Sequence, residues 1–497
     1  YGSPNLLYSN VLWGHIVRMI PSINGVLGYS LATMSTLFVI AWAMFYFLLR
    51  LGAGYLPGLL AVILMLARPT TFPQFTITAG LLTVSAVLGW RVHARFGDLK
   101  SLYIACALAF FGTLIRIDIS LLVLIVALPL LPWRSLRRER TMQIAVGVLI
   151  LAIALAAFID RAAYNSPEWK TLRELDPARA PFSDFLAGDH MKKRPEILAR
   201  HGYSENDIDL ISNNFFVDKT LADPKTLHAM LEELGPLFLQ KGSLALGLLS
   251  LKTLFALPLL SLFLCGLFLL GILPRKPAAL TWGLCLMASF AIGMMGRPGF
   301  LRVYFPLLSL LLVAPLALGE IKSGTRRKVV TFVLFTACVG NLCHLAPRID
   351  NAKFFIRQVR KDIQNLPREV LVTWGGPSFP YELAFPVLSN DPEPRKMKLD
   401  PLYLFTYAPF SVASAEQKAG RGLIQRLCSP GGAPVITSEK RTFFLGSYCL
   451  DRLNGHLQTA LVYKTPTIVI EQLRCVTTGV TSMKKPSPVN GQGAAQK

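Results

Sequence analysis

Apolar and polar residues fall in long blocks along this chain, and the apolar blocks outrun what a soluble helix or strand needs. A run of about 18 or more apolar residues is long enough to cross a bilayer as a helix. Ten runs predict membrane helices: 24–49, 51–67, 74–90, 101–115, 119–133, 142–159, 244–273, 278–296, 300–319 and 328–346. Runs 51–67, 101–115 and 119–133 are short for a full crossing, so tilt, re-entry or fusion with a neighbour is expected there. The predicted class is an all-α polytopic membrane protein of about ten transmembrane helices with a C-terminal extracytoplasmic α/β domain.

Two polar stretches interrupt this pattern. In the first, 160–243, Ser204-Glu205-Asn206-Asp207 and Asp223-Pro224 each precede a helical apolar spacing, as an N-cap and a Pro at the first helical position do. Short amphipathic helices are expected there. In the second, 347–476, Glu369–Trp374, ending in Gly375-Gly376, and Tyr403–Tyr407 read as strands, and Ser414–Cys428 as a helix. Val435–Thr437, Thr442–Tyr448, Thr459–Tyr463 and Thr467–Ile470 follow as strands, the last two joined at Lys464-Thr465-Pro466 as a hairpin. Residues 477–497 have the composition of a disordered tail. The resulting division is an outer segment 1–23, helices in 24–159, a helical outer loop 160–243, helices in 244–346, the α/β domain and the tail.

Composition agrees: the 497 residues are 53% hydrophobic and only 16% charged, against about a quarter charged in soluble domains. A soluble enzyme is excluded. The net charge of +22 comes from 51 Lys and Arg against 29 Asp and Glu, and scarcity of carboxylates contributes as much as any basic face. Nucleic acid is therefore not an expected partner.

The positions of the positive charges set the orientation. Arg50; Arg91, Arg95 and Lys100; Arg134, Arg137, Arg138 and Arg140; Arg275 and Lys276; and Lys322, Arg326, Arg327 and Lys328 occupy alternate connections, fourteen in all, against Arg68, Arg116, Arg297 and Arg302 in the opposite ones. The positive-inside rule assigns the first set to the cytoplasm and both polar stretches to the outside. Tyr1-Gly2-Ser3-Pro4-Asn5 lacks the charged and apolar regions of a signal peptide, so an upstream inside-to-outside helix is expected. Asn5–Ile20, with apolar residues at helical spacing, then reads as an interfacial helix of the first outer loop. The expected location is a bacterial cytoplasmic membrane, and the lack of an N-x-[ST] sequon is compatible with that source.

Cys106, Cys265, Cys285, Cys338 and Cys343 lie in apolar runs, where Cys acts as a small hydrophobe. Cys428, Cys449 and Cys475 lie in the outer domain, with Cys428–Cys449 the first choice for a disulfide because both flank predicted core elements. No metal or nucleotide motif occurs, so no cofactor is identified, and a divalent cation stays open.

Charges placed against the rule are the candidates for chemistry, since an ionisable group at a span end needs a partner or a use. Arg116 and Asp118 lie between two apolar runs, where they could simply snorkel or pair. Arg297 and Arg302, on one Pro-Gly turn followed by Tyr304, suit a clamp on a phosphate at the membrane surface. Arg68 and Gln74 could face an outer polar cavity or only make a turn. Asp160, Glu168, Asp184 and Asp189 read as solvated, and His190, Lys192, Lys193 and Arg194 as a wet basic face.

The layout resembles the polytopic C-type glycosyltransferases, the GT-C superfamily, which transfer sugar from lipid-phosphate-linked donors at the extracytoplasmic face. The resemblance rests on an outer juxtamembrane segment, repeated spans, outer Arg116, Asp118, Arg297 and Arg302, and the C-terminal outer domain. The texture of Pro73-Gln74-Phe75-Thr76, Val372-Thr373-Trp374-Gly375 and Phe379-Pro380-Tyr381-Glu382 adds to it. It implies an inverting hexosyl- or pentosyltransferase whose partners are a lipid-linked sugar donor, membrane lipids and an extracytoplasmic acceptor. Arg297, Arg302, Arg116 and Tyr304 would hold the donor phosphate. The family's diagnostic carboxylate sits in a first outer loop upstream of Tyr1, leaving Asp118 as the nearest catalytic carboxylate here. The rivals are a polytopic transporter, which would carry ionisable groups at mid-membrane on broken helices, and a polysaccharide polymerase or ligase, whose arginines would cluster in one long outer loop.

Overall fold

The computed structural model describes residues 3–319, 321, 324–367, 369, 371–374 and 378–477; of the expected disordered tail, Thr477 ends a strand and 478–497 lie outside the described residues. The chain divides into two compact units. The first holds residues up to Lys170, Leu237–Lys361 and Tyr381–Lys396; the second holds Thr171–Pro236, Asp362–Pro380 and residues from Met397 onward.

The first unit is helical: α1 Val11–Met19, α2 Gly28–Arg50, α3 Tyr55–Thr71, α4 Phe75–Phe96, α5 Leu99–Val126, α6 Arg140–Ala163, α7 Ser243–Thr253, α8 Leu257–Ile272, α9 Lys276–Met294, α10 Leu301–Leu318 and α11 Thr325–Gln364. Among the described residues seven helices, α2, α4, α5, α6, α9, α10 and α11, are long and apolar enough to cross a membrane, or eight if one bent pair counts as a span. The expected ten is thereby corrected, for three local reasons. Helix α3 has only 17 residues. Run 244–273 breaks into α7 and α8, because Pro258 at the start of α8 cannot continue the hydrogen-bond ladder of α7. Runs 101–115 and 119–133 fall in one continuous helical element, α5, and so count once, although they remain two limbs divided as expected at Arg116, whose backbone is extended at φ −162°, ψ 102°.

That interruption is a reversal. A Cβ built on Gly112 would lie 3.1 Å from Ser120 Oγ, whereas residues eight apart in a straight helix are separated by about 12 Å. The two limbs of α5 therefore run back along each other, with Arg116 at their tip. At the far end Arg91 Nη1 donates to Leu130 O at 3.4 Å and Arg95 Nη1 to Leu51 O at 3.3 Å, while Tyr46 of α2 reaches Asp98 at 3.3 Å. The ends of α2 and α4 and both ends of the α5 hairpin thus gather at one end of this unit.

Helix α4 forms the centre, with 89% of its apolar window buried, followed by α10 at 78%, while α6 is only 22% buried and presents most of its surface outward. Small residues allow the close approach of α4: a Cβ on Gly80 would lie 2.3 Å from Pro306 of α10. The expected helix within Asn5–Ile20 forms as α1. Its N-terminus is satisfied twice, by the Asn10 side chain accepting from Leu12 N at 2.9 Å and by Asp160 Oδ1 accepting from Val11 N at 2.7 Å. Gly14 is required there because a Cβ would fall 1.7 Å from Pro4 O.

The second unit is built on a sheet of order β2-β1-β3-β5-β4, with β1 Leu371–Trp374, β2 Leu399–Leu402, β3 Ala433–Ile436, β4 Gly455–Lys464 and β5 Val469–Thr477. Strand β1 pairs parallel with β2 and β3, β3 antiparallel with β5, and β4 with β5 as the expected hairpin. The two capped helices of 160–243 are also present. Helix Glu205–Ser212 starts with a capping box between Ser204 and Asp207, and Pro224–Leu234 with Asp223 as cap.

Several expectations here are corrected. Thr442–Tyr448 is part of helix Glu439–Leu453, whose buried residues Arg441, Phe444, Leu445, Tyr448 and Cys449 follow helical spacing despite their strand-favouring types. The strand expected at Tyr403–Tyr407 lies instead at Leu399–Leu402, on the sheet edge where Pro401 is tolerated, and Leu404–Tyr407 is a 3₁₀ turn. Ser414–Cys428 divides into helices Val412–Lys418 and Leu423–Leu427 around Gly420, at φ +71°. The Cys428–Cys449 disulfide is absent, since every cysteine is a free thiol and Cys449 hydrogen-bonds with Cys475. The larger parts of the two polar stretches join in the second unit, while 160–170, 237–243, 347–361 and 381–396 belong to the first. Trp374 Nε1 donates to Asn213 O at 2.8 Å and Tyr407 Oη to Phe216 O at 2.6 Å, and the Phe215 ring lies 5.2 Å from both Trp374 and Tyr448.

Candidate functional site

The tip of the α5 hairpin sets Arg116 against the start of α4. Its Nη1 donates to Thr76 Oγ1 at 3.4 Å, and its guanidinium lies 5.2 Å from the rings of both Tyr8 and Phe75, which stack on each other at 6.3 Å. Two aromatic faces hold a cation in place without neutralising it. The nearby carboxylate, Asp118 Oδ2, is 3.7 Å from Arg116 Nε and its side chain is 74% exposed, against 12% for Arg116.

Between α9 and α10 the chain reverses through Gly296 and Gly299, at φ +89° and +90°. This turn sets Arg297 and Arg302 on a single ring, at 4.9 and 5.5 Å from Phe300. Both guanidinium groups lie within electrostatic reach of Arg116. The structure therefore brings together Arg116, Arg297, Arg302 and Asp118 from two separate loops. Three planar cations and one exposed carboxylate make an anion-attracting end, and guanidinium is the group that binds phosphate by paired N–H donors.

Other sequence-derived residues fall elsewhere. Tyr304 is fully buried and shares a hydrogen bond with Ser250, whose Oγ also bonds Ser289 O at 2.5 Å. It ties α10 to α7 and α9 beside the Gly299 turn that carries Arg297 and Arg302. Gln74 occupies the N-cap position of α4, and its neighbours Phe75 and Thr76 are what touch Arg116. Arg68 belongs to a second basic group with His344 and Arg348 of α11. Arg68 Nη1 and His344 Nε2 are buried there without a hydrogen bond.

Sequence reading did not single out Tyr8, His344 and Arg348, and it quoted Thr76 and Phe300 without giving either a place in the site. The signal for His344 and Arg348 was their separation by four residues, which puts both on one face of a helix. Asp160, read as solvated, caps α1. Lys192, read as part of a wet basic face, is held by Asp209 at 2.8 Å, and Asp184 by Arg179 at 3.2 Å. A cavity of about 470 Å³ opens between α1, the start of α2 and segment 384–395, with Arg18, Tyr29 and Arg395 among its walls. Arg395 Nη2 donates there to Gly25 O at 2.7 Å. Among the described residues no three His, Cys, Asp or Glu side chains are grouped to hold a metal ion.

Comparison with protein-family models, with curated proteins and with solved structures gives no match.

Proposed function

We propose that this protein is a membrane glycosyltransferase of the GT-C kind, moving a sugar from a polyprenyl-phosphate-linked donor to an extracytoplasmic acceptor. The convergence of Arg116, Arg297 and Arg302 on one end of a helical membrane-type unit carries this reading. In the reaction an acceptor hydroxyl oxygen attacks the anomeric carbon, the bond from that carbon to the phosphate oxygen breaks, and the electron pair leaves on the phosphate. Guanidinium groups fixed in advance stabilise that growing charge. The hydroxyl proton passes to a carboxylate, for which Asp118 is the group beside the arginines. A phosphate ester is already a good leaving group, so no general acid is needed. Displacement from the opposite side inverts the anomeric centre.

A transporter is disfavoured by the collection of arginines at span ends, because ion-coupled carriers hold their charges near mid-membrane. The test is sugar transfer from a polyprenyl-phosphate donor in purified membranes. Arg302→Ala is expected to lower turnover by about a hundredfold or more, the scale of losing one charge-stabilising donor, with Arg302→Lys intermediate. Transfer retained by Arg302→Ala would reject the phosphate clamp.

A further inference from the structure

The opposite end of the first unit carries a second cationic feature, to which the proposed sugar transfer gives no role. A cavity of about 700 Å³ opens there between the ends of α2, α4 and α10, the start of α9 and the loop after α5. Arg91, Arg95, Arg134 and Arg275 line it, and among the described residues no carboxylate does. Arg91 and Arg95 lie within electrostatic reach of each other, and one N–H of each is already engaged by a backbone carbonyl, which fixes its direction. Leu51, Leu131 and Leu318 complete the wall. Trp133 stands at the rim, its indole N–H bonded to Leu128 O at 2.8 Å and 42% of its surface exposed.

Charge, walls and rim together specify the ligand. Four guanidinium groups with no carboxylate among them favour a phosphate ester. Leucines beside them favour an amphiphile over a free ion. A tryptophan with one bonded polar atom and an exposed ring is the side chain that settles at headgroup level. Basic pockets between membrane helices hold anionic headgroups by this combination. We infer that this cavity is a binding site for the phosphate headgroup of an anionic phospholipid, with its acyl chains lying along the adjoining apolar helices.

The inference is tested on the full chain in nanodiscs of phosphatidylcholine titrated with phosphatidylglycerol, with lipid retention read by native mass spectrometry. Arg134→Gln with Arg275→Gln removes two exposed cavity charges and is expected to weaken phosphatidylglycerol retention by about thirtyfold. Arg137→Gln with Arg138→Gln removes the same charge from the neighbouring surface and is expected to change it by less than about threefold. Equal losses from the two pairs, or none from the cavity pair, would overturn the site. Inorganic phosphate is titrated as a separate arm: displacement of the lipid only at millimolar levels supports the headgroup, whereas equal affinity refutes a lipid occupant. Unchanged melting of both variants in lipid-free detergent separates lost binding from lost folding.

Discussion

What distinguishes a structural cation from a functional one here is the company it keeps. In the second unit Arg452 grips Asp207 twice, at 2.5 Å through Nη2 and 3.3 Å through Nε, and the Asp207 side chain is 2% exposed while it also accepts from Ser204 N at 2.8 Å. That carboxylate closes the helix Glu205–Ser212 and anchors it to the helix Glu439–Leu453. Asp207→Ala leaves the guanidinium without its partner and the helix without its capping box. The expected cost is about 3 kcal/mol, read as a hundredfold or greater loss of hydrogen-exchange protection in 205–212. Asp118 is the opposite case, a mostly exposed carboxylate 3.7 Å from Arg116. Asp118→Asn is expected to change stability by no more than about 0.5 kcal/mol, so any large effect of it on transfer would be chemical.

At the scale of elements, packing around α4 decides the first unit. Gly80 approaches Pro306 so closely that a Cβ would lie 2.3 Å from the ring and 3.1 Å from Ile119. A proline ring cannot swing aside. Gly80→Leu should destabilise the bundle by about 3 kcal/mol or more, seen as a lower melting temperature in detergent. Gly147→Ala on α6, where a Cβ meets nothing within 4 Å, should hold or raise it by helix propensity alone. The same elements explain what was legible beforehand. Apolar length located the helices, and the caps at Ser204 and Asp223 located two more, because both signals are local. The reversal at Arg116 was legible as the break that Arg116 and Asp118 make between runs 101–115 and 119–133; what hydropathy could not show is that a single extended residue makes it. Helix Glu439–Leu453 was misread because Thr, Phe and Tyr favour strands until their spacing against a core is known. The site followed this division. Arg116, Arg297 and Arg302 were found as charges in the wrong connections, whereas the places of Phe300, Tyr8 and Thr76 become visible only when two loops meet.

For the molecule as a whole, the two ends of the helical unit carry different kinds of positive charge. One end gathers Arg91, Arg95, Arg134 and Arg275 around a cavity, and Arg327 comes against Gly54, where a Cβ would lie 2.9 Å from its guanidinium. The other end holds Arg116 with Arg297 and Arg302. Helix α4 connects the two, and its 22 residues span about 33 Å, close to the thickness of a bilayer core. Short spans do not disturb this partition, because the α5 hairpin returns to the end from which it started. The number of qualifying helices can therefore fall below ten while the alternation of charge survives. The consequence is directional. In a background with the exposed Cys343 and Cys428 replaced by Ser, Asp118→Cys should react with a membrane-impermeant thiol reagent in vesicles of one orientation, and Arg137→Cys only in the inverted ones. The positive-inside rule predicts that Arg137→Cys is labelled from the cytoplasmic side. Labelling of both positions from the same side would require α4 to lie along the membrane, and a helix with 89% of its apolar window buried inside its own unit has no face left for that.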